Sequence, residues 1–295
     1  MWLCDTTLTW LLIQHEMFRI AQASAFDRRW RALNRLTTYY ANALDFAIPP
    51  IPLFGHTYFS TGSFSYYKTL GLRLEKEYYV LSVDKSDPPF FWPILLHELS
   101  HCWLGRRGDV DSISDKHLDE ISEIGDVTRI NRATIEKRIE EALCDAIATY
   151  MIGPSYPYSY LNRLWARFPA GIVPEYPSHR FRIECMATVL DEMKLYEQAR
   201  NIRYIGNAKF SEPWQNEEIH WAIDDIVSVT SELPKLVVDE VDIEANRVAY
   251  NLEFSATRDI PTLFLACWMF LGNLESSEVP SAITRTSEII LREIE

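Results

Sequence analysis

Residues 97–101 of this 295-residue chain read His97-Glu98-Leu99-Ser100-His101, two imidazoles four positions apart with a carboxylate beside the first. On an α-helix, positions four apart share a face, so both rings can bind one metal ion, at about 2.0–2.1 Å for zinc. Glu98 sits one residue from the first ligand and can face a water activated by the metal without binding the metal itself. Zinc lowers the pKa of such a water to about 7, and a nearby carboxylate can take its proton as hydroxide attacks a carbonyl. With 7 histidines in the chain, chance supplies on the order of 0.01 such matches, so coincidence is a poor account. The surrounding segment, PILLHELSHCWLG, is apolar nearly all round and is expected to be buried. Three ionisable groups in such a place are costly unless paired or metal-bound.

A third ligand is expected from a second helix packed on the first. The segment over 133–152 contains Glu140, Glu141 and, inside the apolar run ALCDAIATYMIG, Asp145. At about 100° per residue, Ile139, Leu143, Ala146 and Tyr150 fall on one side, and Glu141 and Asp145 fall together on the other. That phase favours Glu141 over Glu140 as the metal ligand, with Glu136 and Glu140 on a solvated face. A lone Asp in a buried run wants a partner, and the other ring nitrogen of a metal-ligating histidine is the natural one.

HExxH followed on a later helix by ExxxD resembles the gluzincin zinc metallopeptidases, in which the Glu is the third zinc ligand and the Asp orients a ligand histidine. Two groups are similar. In the ImmA/IrrE-type peptidases a strand leads into HExxH and an acidic helix ends in a short apolar run and Pro. Here those are YYVLSVDKSDPPFFWPILLHELSH and EEALCDAIATYMIGP. The HtpX and CAAX prenyl protease group adds a later His-Pro segment with Arg-Ile five and six residues after the Pro. In this chain Pro177, Arg182 and Ile183 keep that spacing, and Tyr176 stands where that group has histidine. The resemblance covers roughly residues 78–186. It implies a zinc-dependent endopeptidase, with Tyr176 and His179 as catalytic candidates beside Glu98. Tyr176, His179, Arg180 and Arg182 are candidates to stabilise the oxyanion formed at a peptide carbonyl. His15, His56, His117 and His220 carry no partner pattern.

The elements that must position these residues read mainly α, in an α+β arrangement. Residues 8–46 have helical character, ended by the Pro-rich 48–52. Alternation over 70–75 and the apolar 78–83 suggest a small antiparallel hairpin or sheet beside the HExxH helix, offering an edge for an extended substrate. Pro93 suits the first turn of a helix over 94–104, closed by Gly105. Residues 106–132 are polar and acidic, as in a surface loop with a short helix. The second helix stops at Gly153-Pro154. Beyond Tyr196 the pattern is helical again, over 214–233, 235–254, 261–274 and 281–295. The reading is therefore a helical segment over 1–55, a zincin-like metallopeptidase core over 56–195 and a C-terminal helical bundle over 196–295.

Composition narrows the partners. A hydrophobic fraction of 47%, with 9 Trp, 15 Tyr and 14 Phe, is ample for a buried core and argues against disorder. A net charge of −13 repels phosphate backbones and anionic lipid, so no nucleic-acid partner is expected. The apolar stretch over 262–272 is too short to span a bilayer, and the first residues make a poor signal peptide. Five scattered cysteines form no disulfide framework and suit a reducing cytoplasm. The expectation is thus a cytoplasmic zinc peptidase acting on a protein or peptide substrate. The alternative is a regulatory protein that keeps zinc with little or no proteolytic activity.

Overall fold

The computed structural model describes residues 27–55, 59–62, 79–116, 132–164, 176–211, 213, 215, 219–233, 260–272 and 276–295. The first part of the expected helical segment 8–46, up to residue 26, and the expected elements over 70–75 and 235–254 lie outside these residues, as do His15, His56 and His117.

The first helix, α1, spans Arg28–Ala43, and the Asp27 side chain caps it by accepting from the Arg29 N–H at 2.8 Å. Ala32, Leu33, Leu36, Tyr40 and Ala41 recur every three or four residues and form its buried stripe. Three strands follow: β1 (Ile51–Gly55), β2 (Phe59–Gly62) and β3 (Tyr79–Asp84). The order is β1-β3-β2, with β1 parallel to β3 (Ile51 opposite Val80) and β2 antiparallel to it (Phe59 opposite Ser82).

The sheet is therefore mixed rather than purely antiparallel. β3 is the strand read at 78–83, but it lies between two neighbours and is almost wholly buried, so it offers no edge to a substrate. Its parallel partner β1 begins inside the Pro-rich stretch that reads as a breaker. Pro52 lacks an N–H, which a strand tolerates at a sheet edge, and among the described residues β1 pairs on one side only.

A 3₁₀ turn, Pro89–Ile94, leads into α2 (Leu95–Leu104), the helix that carries HExxH. A short helix α3 (Asp109–Lys116) begins the acidic stretch. The long helix α4 (Arg132–Ile152) ends at Gly153, whose φ of 66° is the left-handed conformation that glycine adopts without a Cβ penalty. There the Gly153 N–H donates to the Thr149 carbonyl at 2.8 Å. Helix α5 (Ser155–Ser159) runs into a π-turn over Tyr160–Leu164. Next come α6 (His179–Glu192), capped by Ser178 accepting from the Phe181 N–H at 3.3 Å, and α7 (Tyr196–Lys209). Helices α8 (Ile223–Ser228), α9 (Ile260–Gly272) and α10 (Val279–Ile294) complete the described chain.

Helix α4 is the centre of the packing. α2 lies along it on one side and α6 on another, while β2 and β3 back α2. Leu95, Leu96 and Leu99 of α2 meet Ile139, Leu143 and Ile147 of α4 in one core with Phe181, Ile183 and Met186 of α6. α10 packs on α1, where Glu295 pairs with Arg28 and Arg31, and on the 3₁₀ turn ahead of α2. Cys102, Cys144, Cys185 and Cys267 are buried free thiols. Among the described residues no helix is long and apolar enough to cross a membrane.

Candidate metal centre

HExxH lies on α2 with His97 buried and with Glu98 and His101 half-buried. The helix has no polar face to spare, so its two histidines must find partners on α4. They do. Glu141 is buried, and its carboxylate bridges the two rings: His97 Nε2 lies 3.1 Å from Glu141 Oε2, and His101 Nε2 lies 3.5 Å from Oε1. His97, His101 and Glu141 form a group whose ligand atoms all lie within 4.8 Å of one another and could hold a metal ion. A tetrahedral ion with bonds near 2.1 Å sets its ligand atoms about 3.4 Å apart. The two nitrogen–oxygen separations fall close to that value.

The opposite edge of each ring is also engaged. Asp145 Oδ1 stands 2.9 Å from His97 Nδ1, and Glu140 Oε1 stands 2.7 Å from His101 Nδ1. A carboxylate accepting from Nδ1–H fixes the tautomer and leaves the Nε2 lone pair for a metal. Two imidazoles thus turn Nε2 toward one buried glutamate while separate carboxylates hold them from behind.

Asp145 is fully buried and does not stand on a histidine alone. Arg182 of α6 reaches it with Nε at 2.5 Å from Oδ2 and Nη2 at 2.8 Å from Oδ1. The Tyr156 hydroxyl donates to the same Oδ1 and lies 3.2 Å from His97 Nδ1, with its ring nearly parallel to the imidazole at 6.2 Å. Burial alone would push the Asp145 carboxyl up, but the charge and hydrogen bonds of Arg182 hold it below its ordinary value. Glu141 is likewise held low against its burial, chiefly by His97 and then by Arg182. Burial works against charge on His97, yet its bonds to Asp145 and Glu141 outweigh that and raise its pKa, so a metal binding at Nε2 displaces a proton.

No family model, curated protein or solved structure matches the chain. What the site can do rests on its own geometry.

The other residues singled out from sequence have diverse placements. Tyr176 stands at the protein surface, and the partial burial of its phenol, with the charge of Glu141, raises its pKa. His179 is buried, with Nδ1 2.5 Å from the Tyr160 hydroxyl and its ring stacked on Phe210 at 4.9 Å. Arg180 is half-buried and turns toward α7, where its Nη1 borders the backbone at Gly206. Arg182 is buried against Asp145 and over the Tyr160 ring, so its guanidinium is committed to the interior and not offered to a substrate. His220 is half-buried in the 3₁₀ turn His220–Ala222.

Three contributors escape sequence reasoning. Glu140 turns an oxygen to His101 while staying partly exposed, Lys137 lies 2.9 Å from Glu140 Oε2 and 3.3 Å from Glu141 Oε1, and Tyr156 completes the Asp145 network. The only sequence trace of the last is the tyrosine-rich YPYSY directly after the turn that ends α4.

Proposed function

We propose that this chain is a zinc-dependent endopeptidase of the gluzincin kind, with His97, His101 and Glu141 holding the metal and Glu98 acting as general base. One observation carries the reading: both imidazoles of HExxH turn Nε2 toward one buried glutamate while Asp145 and Glu140 hold their Nδ1 atoms. A donor set of two nitrogens and one carboxylate suits zinc, and three protein ligands leave a coordination position open, as catalytic sites require. When bound, zinc supplies a Lewis acid and a water with a pKa near 7.

The chain's own residues supply the rest. Glu98 follows His97 on α2, is half-buried, and lies outside the group that could hold the metal. Its carboxylate takes the proton of the attacking water and passes it to the leaving amine. The Tyr176 hydroxyl, placed by the spacing to Pro177 and Arg182-Ile183, donates to the oxyanion at the peptide carbonyl, a contribution of about 2.7–4 kcal/mol in comparable sites. Asp145, itself held by Arg182, orients His97 and takes no proton.

The test is Glu98→Gln. The change keeps size and polarity, so folding and zinc binding are expected to survive, while turnover falls by at least about 10²–10⁴-fold. A substrate-trapping comparison in cells, wild type against Glu98→Gln, then identifies what is cleaved. Full cleavage by the variant rejects Glu98 as base. Wild-type protein that binds zinc yet cleaves nothing in a proteome-wide screen favours the regulatory reading instead.

A further inference from the structure

The two histidines are held by partners of opposite character. Behind His97 stand Asp145, with a side chain 0% exposed, and Arg182, 7% exposed, in a closed interior network. Behind His101 stand Glu140, 28% exposed, and Lys137, 37% exposed, at the edge of the protein. Glu140 and Glu141 are consecutive on α4, yet both reach the same imidazole. Glu140 Oε1 is 2.7 Å from His101 Nδ1, and Glu141 Oε1 is 3.5 Å from His101 Nε2. Neighbours on a helix diverge by about 100°, so this grip needs the ring to stand between them, against α4. Lys137, one turn earlier, lies 2.9 Å from Glu140 Oε2 and 3.3 Å from Glu141 Oε1. Its ammonium offsets the repulsion of two adjacent carboxylates and keeps Glu140 on the ring.

We infer that Glu140, steadied by Lys137, is the positioning residue for His101, and that His101 is the ligand through which the metal enters and leaves. This rests on the metal-centre reading above. A hydrogen-bonding partner on the far ring nitrogen orients the ligand and raises its basicity, and loss of one weakens metal binding by about 10–100-fold. Held by a solvent-facing ion pair, His101 swings away more readily than His97, whose partners are buried on every side. The metal should therefore exchange by release of His101 first.

The experiment measures zinc affinity by chelator competition, the visible spectrum of the cobalt-substituted protein, and the rate of zinc release to excess chelator. The proteins compared are wild type, Glu140→Ala, Glu140→Gln and Glu136→Ala. Glu140→Ala is expected to bind zinc about 10–100-fold more weakly, release it faster and show a shifted cobalt spectrum. Glu140→Gln retains a carbonyl that accepts from Nδ1–H and loses less, which also guards against misreading a folding defect. Glu136→Ala removes an equal charge one turn away, where Glu136 pairs with Arg132, and is expected to match wild type. A folded Glu140→Ala with wild-type affinity and spectrum overturns the inference, as does an equal loss in Glu136→Ala. Wild-type protein that takes up no divalent metal overturns the metal centre itself, and this inference with it.

Discussion

At the scale of single residues, the centre depends on a carboxylate that serves two partners. Asp145 holds His97 Nδ1 and at the same time neutralises Arg182, and both charges are buried. Removing one member of a buried ion pair leaves the other uncompensated, at a cost of about 3–5 kcal/mol. Asp145→Asn is therefore expected to lower unfolding stability by about that much and to weaken zinc binding by about 10–100-fold. The double change Asp145→Asn with Arg182→Met is expected to recover most of the stability in denaturant titrations but none of the zinc affinity. Recovery of both would show that Asp145 acts on stability alone. His97, His101, Glu141 and the oddity of Asp145 in an apolar run were legible in the sequence, because helix phase relates residues on one helix. Glu140 was not, since phase places it beside the chosen face, and only the seating of His101 against α4 brings it into reach. The pairing of Arg182 with Asp145 was not legible, because sequence does not pair residues 37 positions apart.

At the scale of elements, α4 is a platform whose two clients, α2 and α6, bring the histidines and Arg182 to its carboxylates. The seating of α6 depends in turn on α7, which crosses it at Gly206. A Cβ there would stand 2.9 Å and 3.0 Å from Ile183 Cγ2 and Cδ1, one residue from Arg182. Overpacking of this kind costs about 1–3 kcal/mol. Gly206→Val is expected to lose that much stability by chemical denaturation and to weaken zinc binding through a displaced Arg182. An unchanged unfolding midpoint would show that the crossing has slack. The helices at 94–104 and 133–152 were legible to within one or two residues at each end, from proline and glycine punctuation. α6 was visible only as a spacing match, because it is buried nearly all round and carries little amphipathic signal. The pairing of β1 with β3 was not legible at all, since strand partners are set by contacts far apart in sequence and β1 begins in a proline-rich stretch.

At the scale of the whole molecule, the zinc proposed here is expected to stabilise the fold as well as serve the chemistry, since the residues that could hold a metal join α2 to α4. A ligand at 100 times its dissociation constant stabilises the folded state by about 2.7 kcal/mol, and each kcal/mol raises the melting temperature by about 2–4 °C for a chain of roughly this size. Chelation is thus expected to lower the melting temperature by several degrees, reversibly on zinc addition, and Glu141→Ala is expected to lose that response. The net charge of −13 favours cation uptake over long range, an effect that salt weakens. The metal centre is tested most sharply by the metal content of protein purified without a chelating tag, measured by mass spectrometry. About one zinc per chain is expected in wild type and in Glu98→Gln, and almost none in Glu141→Ala. Wild-type protein without bound transition metal, or Glu141→Ala with the wild-type content, would contradict it.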